Sequence, residues 1–163
     1  MRDYIAGRNA VTEALKAARP LDSVYVARGD RQGSISAIVA KCRQMNIPVK
    51  EVDSRKLDFM AQNHQGVIAI AACKEYAALD DLFRLAEERG EPPLFVVCDE
   101  LEDPHNLGAI LRSAECAGAH GVIIPKRRSV GLTAIVAKAS AGAVEYMKVA
   151  RVTNITAAIE ELK

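Results

Sequence analysis

Tryptophan is absent from this chain of 163 residues, and only three Phe and four Tyr are present. The core must therefore be built from Ala, Val, Ile and Leu. No apolar run approaches the length of a membrane span. Met1-Arg-Asp-Tyr-Ile opens no signal peptide, so a cytoplasmic protein with no membrane partner is expected. No Cys-x-x-Cys occurs and no Cys/His cluster has zinc-ligand spacing, so no metal is expected. The four cysteines, Cys42, Cys73, Cys98 and Cys116, lie far apart, three of them in apolar contexts. They read as buried free thiols. The chain has no Gly-rich phosphate loop, no GxGxxG, no internal repeat and no low-complexity segment. That argues against a nucleotide-binding enzyme of the P-loop or dinucleotide type.

What is present describes a globular chain. Half the residues are apolar and 26% are charged, and the length suits one medium domain or two small ones. The net charge is only +1, but it is unevenly spread: residues 1–75 carry 12 Lys+Arg against 8 Asp+Glu, and residues 76–163 carry 10 against 13. The first half is the better electrostatic partner for a nucleic acid, although chance alone also produces a difference of this size.

Hydrophobic periodicity divides the chain further. Within Asp3–Ala18, Ala10, Val11, Ala14 and Leu15 fit one helical face. Val24–Ala27 reads as a strand, Arg28–Gly33 as a polar loop, and Ser34–Met45 as a helix with Ile35, Ile38, Val39 and Cys42 on one side. Pro48–Val52 is a strand, Ser54 a candidate N-cap for a helix over Arg55–Gln62, and Val67–Cys73 a strand. The order α-β-α-β-α-β is that of a small α/β layer domain. Lys74–Ala78 reads as a link. Leu79, Leu82, Phe83, Leu85 and Ala86 mark a short helix, which the run from Glu87 to Pro93 breaks. Val122–Pro125 is a second apolar strand of the latter half. Thr133–Ser140 is helical, Val144–Val152 contains a further strand, and Asn154 caps a last helix.

The most informative stretch is Leu94–Gly118. Leu94–Cys98 is apolar without a break, as in a strand covered on both faces. Asp99, Glu100, Glu102 and Asp103 then crowd four carboxylates into five positions. Pro104 disfavours helix at Asp103, Asn106 is a good N-cap, the pattern is helical from Leu107, and Gly118 is the residue type that ends a helix at C′. Arg112 lies four residues after Gly108. Helical side chains lean toward the N-terminus, which brings a guanidinium over the helix start, where anions are favoured. A phosphate or a ribose fits such a corner; so does a plain surface Arg112 paired with Glu115, with Gly108 serving helix packing. Lys126-Arg127-Arg128 follows the strand at Val122–Pro125. It suits phosphates at the ligand-binding end of an open sheet, or is a solvated turn. Gly7-Arg8-Asn9 and His64-Gln65-Gly66 are polar clusters able to meet a ligand, with Gly66 set for a turn at positive φ. A lone His in such a turn is more often a hydrogen-bonded loop residue than a catalyst.

Asp103-Pro-His-Asn-Leu-Gly-Ala-Ile-Leu-Arg112-Ser-Ala-Glu-Cys-Ala-Gly118 resembles the first signature motif of the SpoU (TrmH-like) RNA ribose 2′-O-methyltransferases of the SPOUT superfamily. Asn106 and Arg112 fall on that motif's two polar positions. Gly131-Leu-Thr133 through Ser140-Ala-Gly-Ala-Val-Glu145 is also similar to the family's pattern. The resemblance implies an L30e-like α/β RNA-binding domain over residues 1–73, a linker and first short helix over 74–91, and the N-terminal part of a knotted, parallel-sheet SPOUT domain over 92–163. It implies methyl transfer from S-adenosylmethionine to a ribose 2′-hydroxyl of structured rRNA or tRNA, and a homodimer formed through the methyltransferase domain. Asn106 and Arg112 are then the catalytic pair, and Arg8, Asn9, Gln65, Lys126, Arg127 and Arg128 bind RNA. The family's Arg is proposed to assist deprotonation of the 2′-oxygen. A guanidinium is a poor base, so phosphate binding and stabilisation of the developing alkoxide suit Arg112 better.

The family has two further C-terminal motifs, a Gly-rich strand-loop with a Gly-Glu pair and a Pro-containing strand leading into a Ser-Leu-Asn-Val helix, which bind S-adenosylmethionine and form the knot. Nothing after Val149 resembles either. A C-terminally truncated relative is therefore expected, with its cofactor-binding residues unknown. The competing class is a non-catalytic structured-RNA-binding module.

Overall fold

The computed structural model describes residues 4–29 and 33–163. The chain divides into two compact units, the first ending at Ala72 and the second beginning at Cys73.

The first unit is an α/β layer. Its elements are β1 (Tyr4–Ala6), α1 (Arg8–Lys16), β2 (Leu21–Ala27), α2 (Ser34–Gln44), β3 (Val49–Val52), α3 (Ser54–Met60) and β4 (Val67–Ala71). The sheet order is β1-β4-β2-β3, with β4 antiparallel to both neighbours and β2 parallel to β3. Val11 and Leu15 of α1 and Ile35, Ile38 and Cys42 of α2 pack on Val24, Val26, Val67 and Ala69. Successive strand residues alternate faces, so Tyr25 and its partner Lys50 point away from that core.

Three expectations change in this unit. Strand β1 is not visible in the periodicity, because three half-buried residues are too few to establish an alternation. Ala10 is exposed, outside the helical face expected to hold it. The cap of α3 is Asp53, whose carboxylate accepts from Arg55 N–H, rather than Ser54. Asp is as good a cap as Ser, and its backbone is extended at that position. The loop expected over Arg28–Gly33 lies partly outside the described residues.

The second unit contains α4 (Leu79–Arg89), β5 (Phe95–Val97), α5 (Pro104–Cys116), β6 (Gly121–Pro125), α6 (Ala134–Ala139), α7 (Ala143–Tyr146), β7 (Val149–Val152) and α8 (Ile155–Glu161). Its sheet is parallel throughout, in the order β5-β6-β7. All five residues of β6 are buried, as a central parallel strand requires. Val122 and Ile124 face α5, α6 and α7 through Leu107, Leu111, Leu132, Val136 and Met147. Ile123 faces the opposite layer, with Leu82 of α4, Ala150, Ile155 and Leu162. Helix α4 lies so close to the sheet that a Cβ on Gly121 would meet Leu82 Cγ at 2.3 Å.

Strand β5 departs from expectation. It is an edge strand of three residues, with Leu94 48% and Val97 38% exposed, and is not covered on both faces. An unbroken apolar run indicates burial, but not how many neighbours a strand has. Helix α7 is hidden in the sequence because Ser140–Ala143 reads as small-residue packing; Ala141 and Gly142 there take positive φ and separate two short helices. Lys74–Ala78 is not an open link. Ala77 N–H donates to Val149 O, Lys74 Nζ donates to the Val144 and Glu145 carbonyls, and Tyr76 Oη accepts from Leu132 N–H. Of the four thiols only Cys42 and Cys98 are buried; Cys73 and Cys116 are exposed. Burial pushes the Cys42 thiol up to about 11 and raises that of Cys98. Among the described residues no helix is long and apolar enough to cross a membrane.

Candidate functional site

Helix α5 begins three residues earlier than its sequence pattern indicates. Pro104 occupies the first helical position, where its missing N–H costs nothing. Asp103 is the cap: its backbone is extended, and its carboxylate accepts from His105 N–H at 2.7 Å. Asn106 therefore stands inside the first turn rather than at the cap. The helix ends at Cys116, and Gly118 follows at φ +74°, the left-handed conformation a C′ glycine supplies.

The corner over Gly108 is not open to a ligand. Gly108 is buried, and a Cβ there would lie 2.4 Å from Ala139 Cβ, 2.8 Å from Ala139 C and 2.9 Å from Ser140 N. The space it vacates is filled by the end of α6. Ser140 is itself fully buried, donating to Ala137 O and accepting from Val144 N–H. Gly108 thus serves helix packing. Arg112 is a separate matter: its side chain is exposed, and so is that of Asn106. Neither has a hydrogen-bonding or ionic partner among the described residues, and the Arg112–Glu115 pair is not formed. Two unengaged polar side chains, one amide and one guanidinium, stand on a helix that starts beyond the carboxyl end of β5.

The acidic and basic loops meet. Glu100, at φ +50°, receives Arg128 Nη1 at 3.3 Å. Val130 N–H and Ser129 Oγ both donate to Leu101 O. The loops after β5 and β6 are thereby tied together at the carboxyl ends of adjacent parallel strands, the end of an open sheet where ligands bind. The Arg128–Glu100 pair is solvent-exposed and contributes little stability. It does make Arg128 less available as a phosphate contact than Arg127, which is exposed; Lys126 is half-buried. The one signal for this pairing in the sequence is the opposite charge of two loops following neighbouring strands.

In the first unit the structure brings two of the RNA candidates together. Arg8 N–H donates to Gln65 Oε1 at 3.1 Å, and Arg8 Nε donates to the Gln65 carbonyl at 2.9 Å. Gln65 and Gly66 both take positive φ. Asn9 is exposed beside Arg8 in the first turn of α1. His64 is a structural loop residue: its Nδ1 accepts from Gly66 N–H, which places the ring proton on Nε2, facing Asp58 Oδ1 at 2.8 Å. A histidine that sequence reasoning passes over, His120, is fully buried; Nδ1 accepts from Leu94 N–H and Nε2 faces Glu91 Oε2.

Residues 93–163 match the SpoU rRNA Methylase family model, and residues 4–77 match the model for RNA 2'-O ribose methyltransferase substrate binding. The chain is 50% identical over 162 residues to YacO of Bacillus subtilis, which is assigned to the TrmH family of tRNA/rRNA methyltransferases; the match covers 99% of this chain and 65% of that protein. A Staphylococcus aureus protein with the same family assignment is 46% identical over 160 residues, covering 98% of this chain and 64% of its own length. Among solved structures, an rRNA methyltransferase from Sinorhizobium meliloti aligns with a TM-score of 0.44 at 24% identity, over 96% of this chain and 56% of that one. The chain thus spans just under two thirds of the length of the curated relatives it matches.

Proposed function

The chain belongs to the SpoU rRNA methylase family, and from that premise we propose that it holds the RNA side of a ribose 2′-O-methyltransferase acting on structured rRNA or tRNA. The observation that carries the proposal is the pair Asn106 and Arg112 on α5, exposed and without partners among the described residues, on residues that also fall in the family's first motif. Arg112 binds a phosphate beside the target ribose and stabilises negative charge that develops on the 2′-oxygen. A guanidinium is in general a poor base, which suits charge stabilisation better than proton abstraction. Asn106 orients the ribose through its amide. Arg127 and Lys126, with Arg128 held on Glu100, contact the flanking backbone. The first unit, read as L30e-like, grips the RNA through Arg8, Asn9 and Gln65.

In this reading S-adenosylmethionine supplies the methyl group to a cytoplasmic enzyme that works as a homodimer with a knotted SPOUT domain. One open pocket of the second unit, about 360 Å³, does not fit that cofactor by itself: it is lined by Val96, Ala109, Ile110, Ser113, Ala114 and Ala117, and Ser113 alone offers a side-chain hydrogen-bonding group. Adenine, ribose and a methionine zwitterion need several convergent donors and acceptors.

The test is Arg112→Ala in a protein of its relatives' full length. Methyl transfer to RNA should be lost, by about 100-fold or more if one charge-stabilising donor is removed, while RNA affinity stays within a few-fold. Unchanged turnover would remove Arg112 from the chemistry.

A further inference from the structure

The first unit carries a second cluster of cations and rings, away from Arg8, Asn9 and Gln65. Tyr25 of β2 and Lys50 of β3 are partners in the parallel register, so their side chains share a face of the sheet. Lys50 Nζ lies 5.3 Å from the centre of the Tyr25 ring and 3.4 Å from its hydroxyl. Lys56 Nζ, from α3, lies 5.8 Å from the same ring centre. One half-buried tyrosine thus gathers two exposed ammonium groups. Two like charges around one ring repel each other, and the ring offsets only part of that; an anion would offset the rest.

Helix α3 extends the patch. Arg55, Lys56 and Phe59 are exposed, and the spacings from Arg55 and Lys56 to Phe59 put all three on one side of the helix. Leu57 faces the interior and is fully buried. Phe59 is 91% exposed, an unusual position for one of only three phenylalanines in the chain. The carboxylates around it are engaged or turned away. Asp53 caps α3, Asp58 faces His64, and Glu51 lines the opposite side of β3 with Val26, Ile35 and Arg43.

We propose that Tyr25, Lys50, Arg55, Lys56 and Phe59 form a second RNA-contact surface that takes a single-stranded segment, its phosphates on Lys50, Lys56 and Arg55 and a base stacked on Phe59. Open rings interleaved with cations are what a flexible strand with exposed base faces requires. The patch is also continuous with the first contact edge, because the Asp58–His64 hydrogen bond ties α3 to the turn that presents Gln65. RNA held at Arg8 and Gln65 can therefore run on along α3. Tyr25 is a positioning residue, fixing the two lysines rather than stacking with a base.

The inference rests on the first unit being an RNA platform, and the experiment separates the two. The chain is titrated by fluorescence anisotropy with a labelled unstructured RNA and a labelled stem-loop carrying a single-stranded tail, at several salt concentrations. Phe59→Ala should weaken binding to the unstructured RNA by about 5- to 100-fold, the value of one stacked base, with the salt dependence unchanged. Lys50→Gln with Lys56→Gln should flatten the salt dependence, by about 0.7 in log–log slope for each lysine on a single strand. Tyr25→Leu should act in the same direction through the lysines. Far-UV circular dichroism should show Phe59→Ala folded, since the ring is solvent-exposed. If Arg8→Ala abolishes stem-loop binding while the Phe59 and lysine variants bind both RNAs as the parent does, this surface is overturned and the platform reading stands. If the parent binds neither RNA, both are overturned.

Discussion

Replacing Gly108 with alanine should destabilise the second unit although alanine is the better helix former. In an exposed helix interior that exchange gains roughly 1 kcal/mol. At this position the added methyl would sit 2.4 Å from Ala139 Cβ, 2.8 Å from Ala139 C and 2.9 Å from Ser140 N. Two of those neighbours are backbone atoms, and no change of rotamer moves them. Their helix end is held by Ser140 N–H to Val136 O at 2.9 Å, by Ala143 N–H to Ser140 O at 3.1 Å, and by the buried Ser140 hydroxyl. Relief requires α5 to withdraw from α6 by ~1 Å to restore ordinary carbon contacts. Overpacking of this kind costs about 1–3 kcal/mol, so the net loss should be about 1 kcal/mol and up to about 2. For a unit this size each kcal/mol is about 4–8 °C of melting temperature. Thermal and guanidinium unfolding followed by far-UV circular dichroism measures the loss. Hydrogen exchange over α5, α6 and α7 assigns it to the second unit. Adding Ala139→Gly should recover only part, because the two backbone contacts remain, and the shortfall appears as non-additivity. A Gly108→Ala protein as stable as the parent would refute the packing argument.

Two other consequences are open to direct measurement. His120→Leu removes the acceptor for the Leu94 N–H and the partner of Glu91 from a fully buried position. It should cost about 1–3 kcal/mol, read as a lower denaturation midpoint with faster amide exchange at Leu94; an unaltered midpoint would show that water replaces the imidazole. Alkylation of the native protein near pH 8 should modify Cys73 and Cys116 and spare Cys42 and Cys98, as peptide mass spectrometry would show. Burial disfavours the thiolate of Cys42, raising it from 9.0 to about 11. Its contribution to stability is therefore complete below pH 9 and lost as the pH rises through about 11. Modification of Cys42 as fast as that of Cys116 at pH 8 would contradict that burial.

What the sequence makes legible follows its periodicities. Helices with a full apolar face, α1, α2 and α5, emerge as helices, α2 within a residue at each end and α5 with its start three residues before the expected one, because three or four turns of pattern outweigh local ambiguity. Strand β6 emerges because all five of its residues are buried and apolar. Short elements without a repeat do not: β1 has three half-buried residues, and α7 has four residues behind a small-residue turn. Asn154 caps α8 as expected, accepting from Ala157 N–H; the two caps that differ do so in one direction. The sequence pattern favours Ser54 and Asn106 over Asp53 and Asp103, yet each Asp accepts the N–H two residues on. At α5 Pro104 reads as a barrier to helix, but it bars helix only at the residue before it and opens one at its own position.

The same distinction decides what Gly108 and Arg112 mean together. Four residues apart on α5, they suggest one corner in the sequence, a glycine making room for a guanidinium over the helix start. The room is occupied by Ala139 and Ser140, so Gly108 tells nothing about a ligand. What it does is let α5 lie against the end of α6, with Leu107, Leu111 and Ala114 sunk in the core. That fixes the rotation of α5 about its own axis, and rotation determines which side chains remain outside. Asn106 and Arg112 are left on the exposed side without partners among the described residues, while the neighbouring loop charges Glu100 and Arg128 are paired. A guanidinium with no partner of its own, on a helix whose orientation a backbone contact sets, can bind an anion without first breaking an ion pair. The packing reading of Gly108 thus strengthens the ligand reading of Arg112, although on the sequence alone the two stand as rivals.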